Sequence, residues 1–243
     1  LSLHDALPIC GDAEEAKANL QTLRHDYPLN PTVWWLQWQS EGSDEALNAW
    51  RDICGGRDIN ALLTAGQLLS WGMKTEAIGV LEKLACERTL PLLLQASLLT
   101  ESDRAPLIAR AIDAFPRFVR FPNTLDEVDA LNILPESAFA RHLLACFHYS
   151  KRNDEKAVAL WQQCVAMDDS VADAWRGLAI YAWNKQQDET LAARYLDTAC
   201  RLLPDDARLL FERDLLAKLT GATPQSRLTR LEANLPCALK RDD

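Results

Sequence analysis

His142 and Cys146 stand four residues apart, a spacing that sets an imidazole and a thiol on one helical face and can supply half of a zinc shell. A tetrahedral site needs two further ligands, and no other His or Cys follows at ligand spacing; His148 falls on another face, His25 near a helix end, and His4 at the extreme start. The pair reads as a helix-face histidine packed beside a buried thiol, and no metal is expected. Cys54 opens CGGR, beside a glycine turn and an arginine. A nucleophilic thiolate needs a base and a depressed pKa, and the simpler reading is a helix end closed by a Gly-Gly turn. The acidic doublets Glu14-Glu15, Asp168-Asp169 and Asp205-Asp206 fall at helix starts and turns, where carboxylates complement the helix dipole. No GxxxxGK[ST], GxGxxG, GxSxG or HExxH occurs. The expectation is a protein without catalysis and without a cofactor.

The totals agree. The chain has 243 residues, 48% hydrophobic and 25% charged, which suits a folded globular chain. A net charge of −9 argues against nucleic acid, whose affinity rests on Lys and Arg neutralising phosphates, and against an anionic membrane surface. The longest uncharged run, residues 59–73, is shorter than the roughly 20 residues that span a bilayer. Seven cysteines, odd in number and scattered, form no CxxC pair, which points to a reducing compartment; a cytoplasmic location is expected. Only 9 glycines are present, too few for a fold rich in tight β-turns.

What positions these residues is a recurring helix. Ala192, Leu196 and Ala199, at offsets of 4 and 7, lie on one helical stripe, and the same offsets recur at Ala16, Leu20 and Leu23. Both stripes are closed by a proline, Pro204 and Pro28. The triplet returns as Ala46, Trp50, Ile53; as Ala77, Leu81, Leu84; as Ala111, Phe115, Phe118; and as Ala157, Trp161, Cys164. From Ala16 to Ala192 the starts lie 30, 31, 34, 46 and 35 residues apart, a repeat signature. Second apolar helices alternate with these. Asp12, Ser43, Asp154 and Asp188 are expected N-caps, and Pro28, Pro31, Pro91, Pro122, Pro135, Pro204 and Pro224 are expected between helices. No window alternates as a strand does.

Trp175, Leu178, Ala179 and Tyr181, followed by Ala192, Leu196, Ala199 and Pro204, resemble a tetratricopeptide repeat. The resemblance implies an all-α solenoid of antiparallel helix pairs in a right-handed superhelix. The match has departures: Ala179 replaces a glycine, Tyr181 comes one residue early, and Asp169 stands where a proline would close the preceding repeat. Residues 117–243 are also similar to the carboxy-terminal repeat arm of large bacterial proteins that carry an amino-terminal β-sandwich domain of unknown function (the domain-of-unknown-function 5107 type), often among sugar-utilisation genes. That resemblance implies an arm whose sandwich is absent from this chain. The expected organisation is a non-native or adapter-derived segment at 1–10, irregular helical repeats at 11–135, and tetratricopeptide-like repeats at 136–243. The helix at 13–26 should then present an unsatisfied apolar face and promote self-association.

In stacked helix pairs the first helices line a concave groove. By register that face carries His142, Cys146 and Tyr149, then Arg176, Ile180 and Trp183, then Phe211, Leu215 and Lys218. Trp35, Trp38 and Trp183 fall one face away from the repeat stripe, either as overflow packing or as a ligand platform. The candidate groove residues are His142, Tyr149, Arg176, Trp183, Lys218 and Trp35, giving aromatic faces, cations and a titratable imidazole. Two functions follow: a scaffold holding a peptide or partner domain in that groove, or an arm positioning a missing β-sandwich domain of a carbohydrate-utilisation protein.

Overall fold

Alanine opens every recurring triplet, and all six of these alanines are buried, each exposed by 6% or less. A side chain that stops at Cβ lets a neighbouring helix approach closely, and the larger residue four positions later then fills the space beside it. Leu20, Leu23, Trp50, Leu81, Trp161, Cys164, Leu196 and Ala199 are buried, and Ile53 and Leu84 half-buried. These positions come from a computed structural model that describes residues 13–55, 58–84, 88–114, 121–134 and 136–239. The opening decapeptide, Asp12, the Gly56-Arg57 end of CGGR, Cys86, Phe115, Phe118 and Pro135 lie outside the described residues.

The chain is all-α, with no strand among the described residues. It divides into two compact units, residues 13–114 with Asp129–Ile133, and residues 121–128 with 134–239. In the first unit α1 (Ala13–Asp26) packs on α2 (Pro31–Glu41), and hairpins follow: α2 with α3 (Asp44–Cys54), α4 (Asp58–Ser70) with α5 (Lys74–Leu84), and α6 (Thr89–Leu98) with α7 (Glu101–Asp113). A short helix α8 (Leu125–Leu131) is shared between the units. The second unit pairs α9 (Ala138–Ser150) with α10 (Asp154–Met167), and α11 (Ala172–Tyr181) with α12 (Glu189–Leu202). It continues through α13 (Ala207–Leu219), α14 (Pro224–Ala233) and α15 (Leu235–Ala238).

Local chemistry explains most boundaries. Ser43 Oγ accepts from the Ala46 amide at 3.4 Å, Asp188 from Leu191 at 2.8 Å and Asp206 from Leu209 at 2.8 Å, each satisfying an orphan donor of a first turn. Asp154 does not cap α10 as expected. Asn153 holds the cap position, while Asp154 lies inside the helix and pairs with Lys185 at 2.6 Å. Pro91 likewise sits in the first turn of α6 rather than between helices, a place where its missing N–H leaves no intrahelical bond unmade. Of the Ala111 triplet only Ala111 is described, buried in α7, which is described as far as Asp113. The outward residues of α1, Glu14, Glu15, Lys17, Gln21 and Thr22, are exposed and polar, so the unsatisfied apolar face expected there is absent.

The departures from the repeat pattern have structural counterparts. Trp175 donates its indole N–H to the Asp169 carbonyl at 2.8 Å, and Trp34 donates to the Pro28 carbonyl at the same distance. The two bonds are equivalent by register, so the turn is tied to the following helix whether proline or aspartate occupies it. After Tyr181 the helix widens into a π-helical turn, Ala182–Gln186, ending at Gln187 in the left-handed region. A π-turn accommodates one extra residue, and the 35 residues from Ala157 to Ala192 are one more than the ~34 of the repeat pattern the sequence resembles.

A close contact in the second unit joins α10 to α11. A Cβ added at Gly177 would lie 2.3 Å from Trp161 Cε2, and Trp161 is itself 3% exposed. Gly177→Ala should therefore destabilise the protein by about 2–3 kcal/mol in urea unfolding, the upper range for overpacking a core. Trp161→Phe, which shortens the clashing ring system, should restore at least about 1 kcal/mol of that loss in a double-mutant cycle. Strict additivity would show that the two positions do not share one space.

Candidate functional site

Helices α9, α11 and α13 carry the residues assigned by register to the groove, all within the second unit. The structure brings Arg176, Trp183 and the α13 stripe together, places Tyr149 at one side, and removes two candidates. Trp35 is one of them. It belongs to the first unit and is fully buried, with its ring 4.8 Å from Trp38 and 5.1 Å from Trp50. Its ring also approaches Gly79 of α5, where a Cβ would find it at 3.5 Å. Placing Trp35 on a groove is thus corrected: the indole is enclosed among Trp38, Trp50 and α5 and is not accessible to a ligand.

His142 is the second correction. It is 6% exposed, with Cys146 Sγ 3.6 Å from its Nε2 and Phe139 edge-on at 5.9 Å between centroids. Burial drives its pKa down to about 4; Asp173 opposes that shift and Arg176 adds to it. The imidazole is neutral near pH 7 and offers no titratable face to a ligand. Burial also pushes the thiols of Cys146 and Cys164 up to about 12 and that of Cys54 up to about 11. A thiol held protonated is a poor nucleophile and a poor metal ligand. Among the described residues no group of three or more His, Cys, Asp or Glu side chains is arranged to hold a metal ion.

Arg176 is present at the groove but already engaged. Its guanidinium donates from Nε to Glu212 Oε2 at 2.7 Å and from Nη2 to Oε1 at 2.6 Å, a two-pronged clasp from α11 to α13. Arg208 adds a third bond to Glu212 Oε1 at 3.2 Å. The cation expected to receive a ligand's carboxylate has an internal one instead. Tyr149 is half-buried, its ring 5.5 Å from Trp161, and its hydroxyl accepts from Asn184 Nδ2 at 3.2 Å. Asn184 belongs to the π-turn, as does Lys185, which reaches Asp154. Two side-chain bonds from this one turn therefore fasten it to the α9–α10 hairpin.

Trp183, on the same turn, lines a cleft of about 150 Å³ with Ile180, Leu196, Glu212, Leu215 and Leu219. Its walls come from α11, the π-turn, α12 and α13, and Glu212 is its single charged lining residue. Beside it α13 exposes Phe211 (46%), Leu215 (41%) and Leu219 (54%), while Leu209 and Leu210 on its other side are buried. Lys218 lies exposed on the same stripe. Sequence reasoning missed Glu212 and Leu219. A signal was available in α13, whose leucines and phenylalanine fall on more than one face, too many for a single buried stripe.

No family model matches the chain. Among solved structures it is similar to a crystal structure of MamA, with 16% identity over 72% of this chain and 95% of that one and a TM-score of 0.42. It is similar to YrrB, described as a TPR protein with an unusual peptide-binding site, with 14% identity over 83% and 92% and a TM-score of 0.34. A third is the TPR2AB domain of yeast Sti1 in complex with pHSP90, with 14% identity over 94% and 85% and a TM-score of 0.38. At these TM-scores the likenesses carry no weight for the site. The helix-pair description rests on the contacts above.

The buried imidazole makes stability depend on pH. His142 titrates near 4 in the folded chain and near 6.5 when unfolded, so between those values the unfolded chain binds more protons and stability falls as pH falls. The contribution is complete above about pH 6.5 and lost by about pH 4, at most about 3 kcal/mol. His142→Gln should flatten that part of the stability-against-pH curve. An imidazole titrating near 6.5 in the folded protein by NMR would contradict the burial.

Proposed function

We propose that this chain is a non-catalytic interaction scaffold and that the α9–α11–α13 face holds a segment of a partner protein. The observation that carries this reading is the exposed apolar stripe of α13 beside the cleft. Folding leaves Phe211, Leu215 and Leu219 40% or more accessible on one face, next to an indole wall. Contiguous exposed apolar surface on a folded protein marks an interaction site far more often than scattered single residues do. Of the residues singled out from the sequence, Arg176 is clasped to Glu212, and burial lowers the His142 pKa and raises that of the Cys146 thiol.

The partner segment is a peptide or a partner domain, and the resemblance of residues 117–243 to a repeat arm makes a domain of the same protein one such partner. Self-association belongs to the same proposal only through this face, since α1 offers a polar one. The setting proposed is cytoplasmic; among the described residues no helix is long and apolar enough to cross a membrane.

A random-peptide display library selected on the full chain tests the reading. Enriched peptides should lose about tenfold in affinity, about 1.4 kcal/mol, with Leu215→Asp or Trp183→Ala, while the melting temperature is held. Ser43→Ala in the first unit is the control: it should lower the melting temperature by removing the cap on the Ala46 amide, at a cost of about 1 kcal/mol, and leave capture intact. Enriched peptides that ignore both groove substitutions would overturn the proposal.

A further inference from the structure

We infer that the cleft beside Trp183 is an anchor pocket for one uncharged aromatic side chain, of phenylalanine type, presented by a segment with an acidic residue close by. This rests on the scaffold reading and specifies the ligand it takes.

Size points to a single ring. The cleft measures about 150 Å³, well under the roughly 300–1,000 Å³ of sites that enclose whole small molecules. An enclosed apolar cavity of about 150 Å³ admits a benzene ring, so an open cleft of that volume has room for one ring. The lining matches that occupant: Ala179, Ile180, Leu196, Leu215 and Leu219 supply aliphatic walls. Trp183 supplies an indole against which a second ring can pack offset or edge-on.

Charge excludes the alternatives. Glu212 is the one charged group lining the cleft, and three hydrogen bonds from Arg176 and Arg208 occupy both of its oxygens. A lysine or arginine entering the cleft would find that carboxylate already paired, and an acid would face it at close range. Either ion would be desolvated without compensation. An uncharged ring meets no such cost.

Lys218 sets the second requirement. It lies on the exposed stripe of α13, one turn beyond Leu215 and adjacent to Leu219, and no acidic side chain pairs with it among the described residues. A carboxylate flanking the anchor would meet an available ammonium there. The net charge of −9 repels an acidic partner at long range, so the flanking contact acts locally and is screened by salt.

Short Gly/Ser peptides carrying one Phe followed by one Glu, titrated into the full chain, test this by NMR of the Ile180, Leu215 and Leu219 methyl groups. The Phe peptide should shift these methyls saturably. Its Phe→Ala counterpart should bind about tenfold more weakly, about 1.4 kcal/mol. Reversing the flank to Lys should weaken binding in the wild type and restore it in Lys218→Glu, a charge swap that a purely structural role for Lys218 does not produce. Equal binding of Phe and Ala peptides, or shifts confined to other methyls, overturns the anchor, and a flank preference that ignores Lys218→Glu overturns the pairing. Groove-dependent library peptides lacking aromatic residues would sink the anchor and leave the scaffold standing. A cleft that takes the Phe peptide while no library peptide senses Leu215→Asp would sink the scaffold instead.

Discussion

Trp161 occupies the space that any side chain at residue 177 would need, and the second unit is organised around that exclusion. The indole is surrounded by Ala145, Ala157, Leu160, Cys164, Ala174 and Leu178, drawn from α9, α10 and α11. Because residue 177 lacks a Cβ, α11 comes close enough to α10 for Ala174 and Leu178 to join one core with Ala157 and Cys164. Tyr149 of α9 packs against the same indole, 5.5 Å between ring centroids, so its position depends on Trp161 as well. Interiors at crystal-like density transmit such placements, since no slack separates one side chain from the next.

From that core outwards, order passes to α13 both through apolar contacts, with Leu209 buried in one cluster with Ala172, Ala179, Leu196 and Ala199, and through a polar clasp. The clasp of Arg176 on Glu212 joins inner helices that are successive in the array, and its partly buried ions are matched in geometry as well as in sign. The clasp also frees the cleft from charge, because the carboxylate on its wall is satisfied before any ligand arrives. Stability and selectivity in this region thus draw on the same three side chains, Arg176, Arg208 and Glu212.

The helix pairing was legible in the sequence because its cause is local. An alanine with a larger residue four positions on states which stripe faces a neighbour, and the turns announce themselves through Asp188, Ser43 and the prolines. The same local pattern puts Phe211, Leu215 and Lys218 on one stripe of α13, which the fold leaves exposed. What was hidden depends on residues far apart in the chain. Trp35 became core through neighbours that include Trp50, 15 residues later, and Gly79, 44 residues later. Arg176 became an internal partner because Glu212, 36 residues away, has two oxygens in reach. His142 lost its charge to burial that no single-helix pattern reveals. A sequence periodicity reports a face, and the identity of what covers that face enters only with the fold.

The π-turn at Ala182–Gln186 bears on how such an array tolerates changes in length. Each residue added to an α-helix turns everything beyond it by about 100° relative to what came before. An insertion in α11 would ordinarily swing Asp188 and α12 out of phase with α11. Here the surplus residue is absorbed within one widened turn, and Ala192, Leu196 and Ala199 still face the core. The turn thus acts as a phase correction, letting the end of α11 carry an extra residue while α12 keeps its apolar stripe on the core.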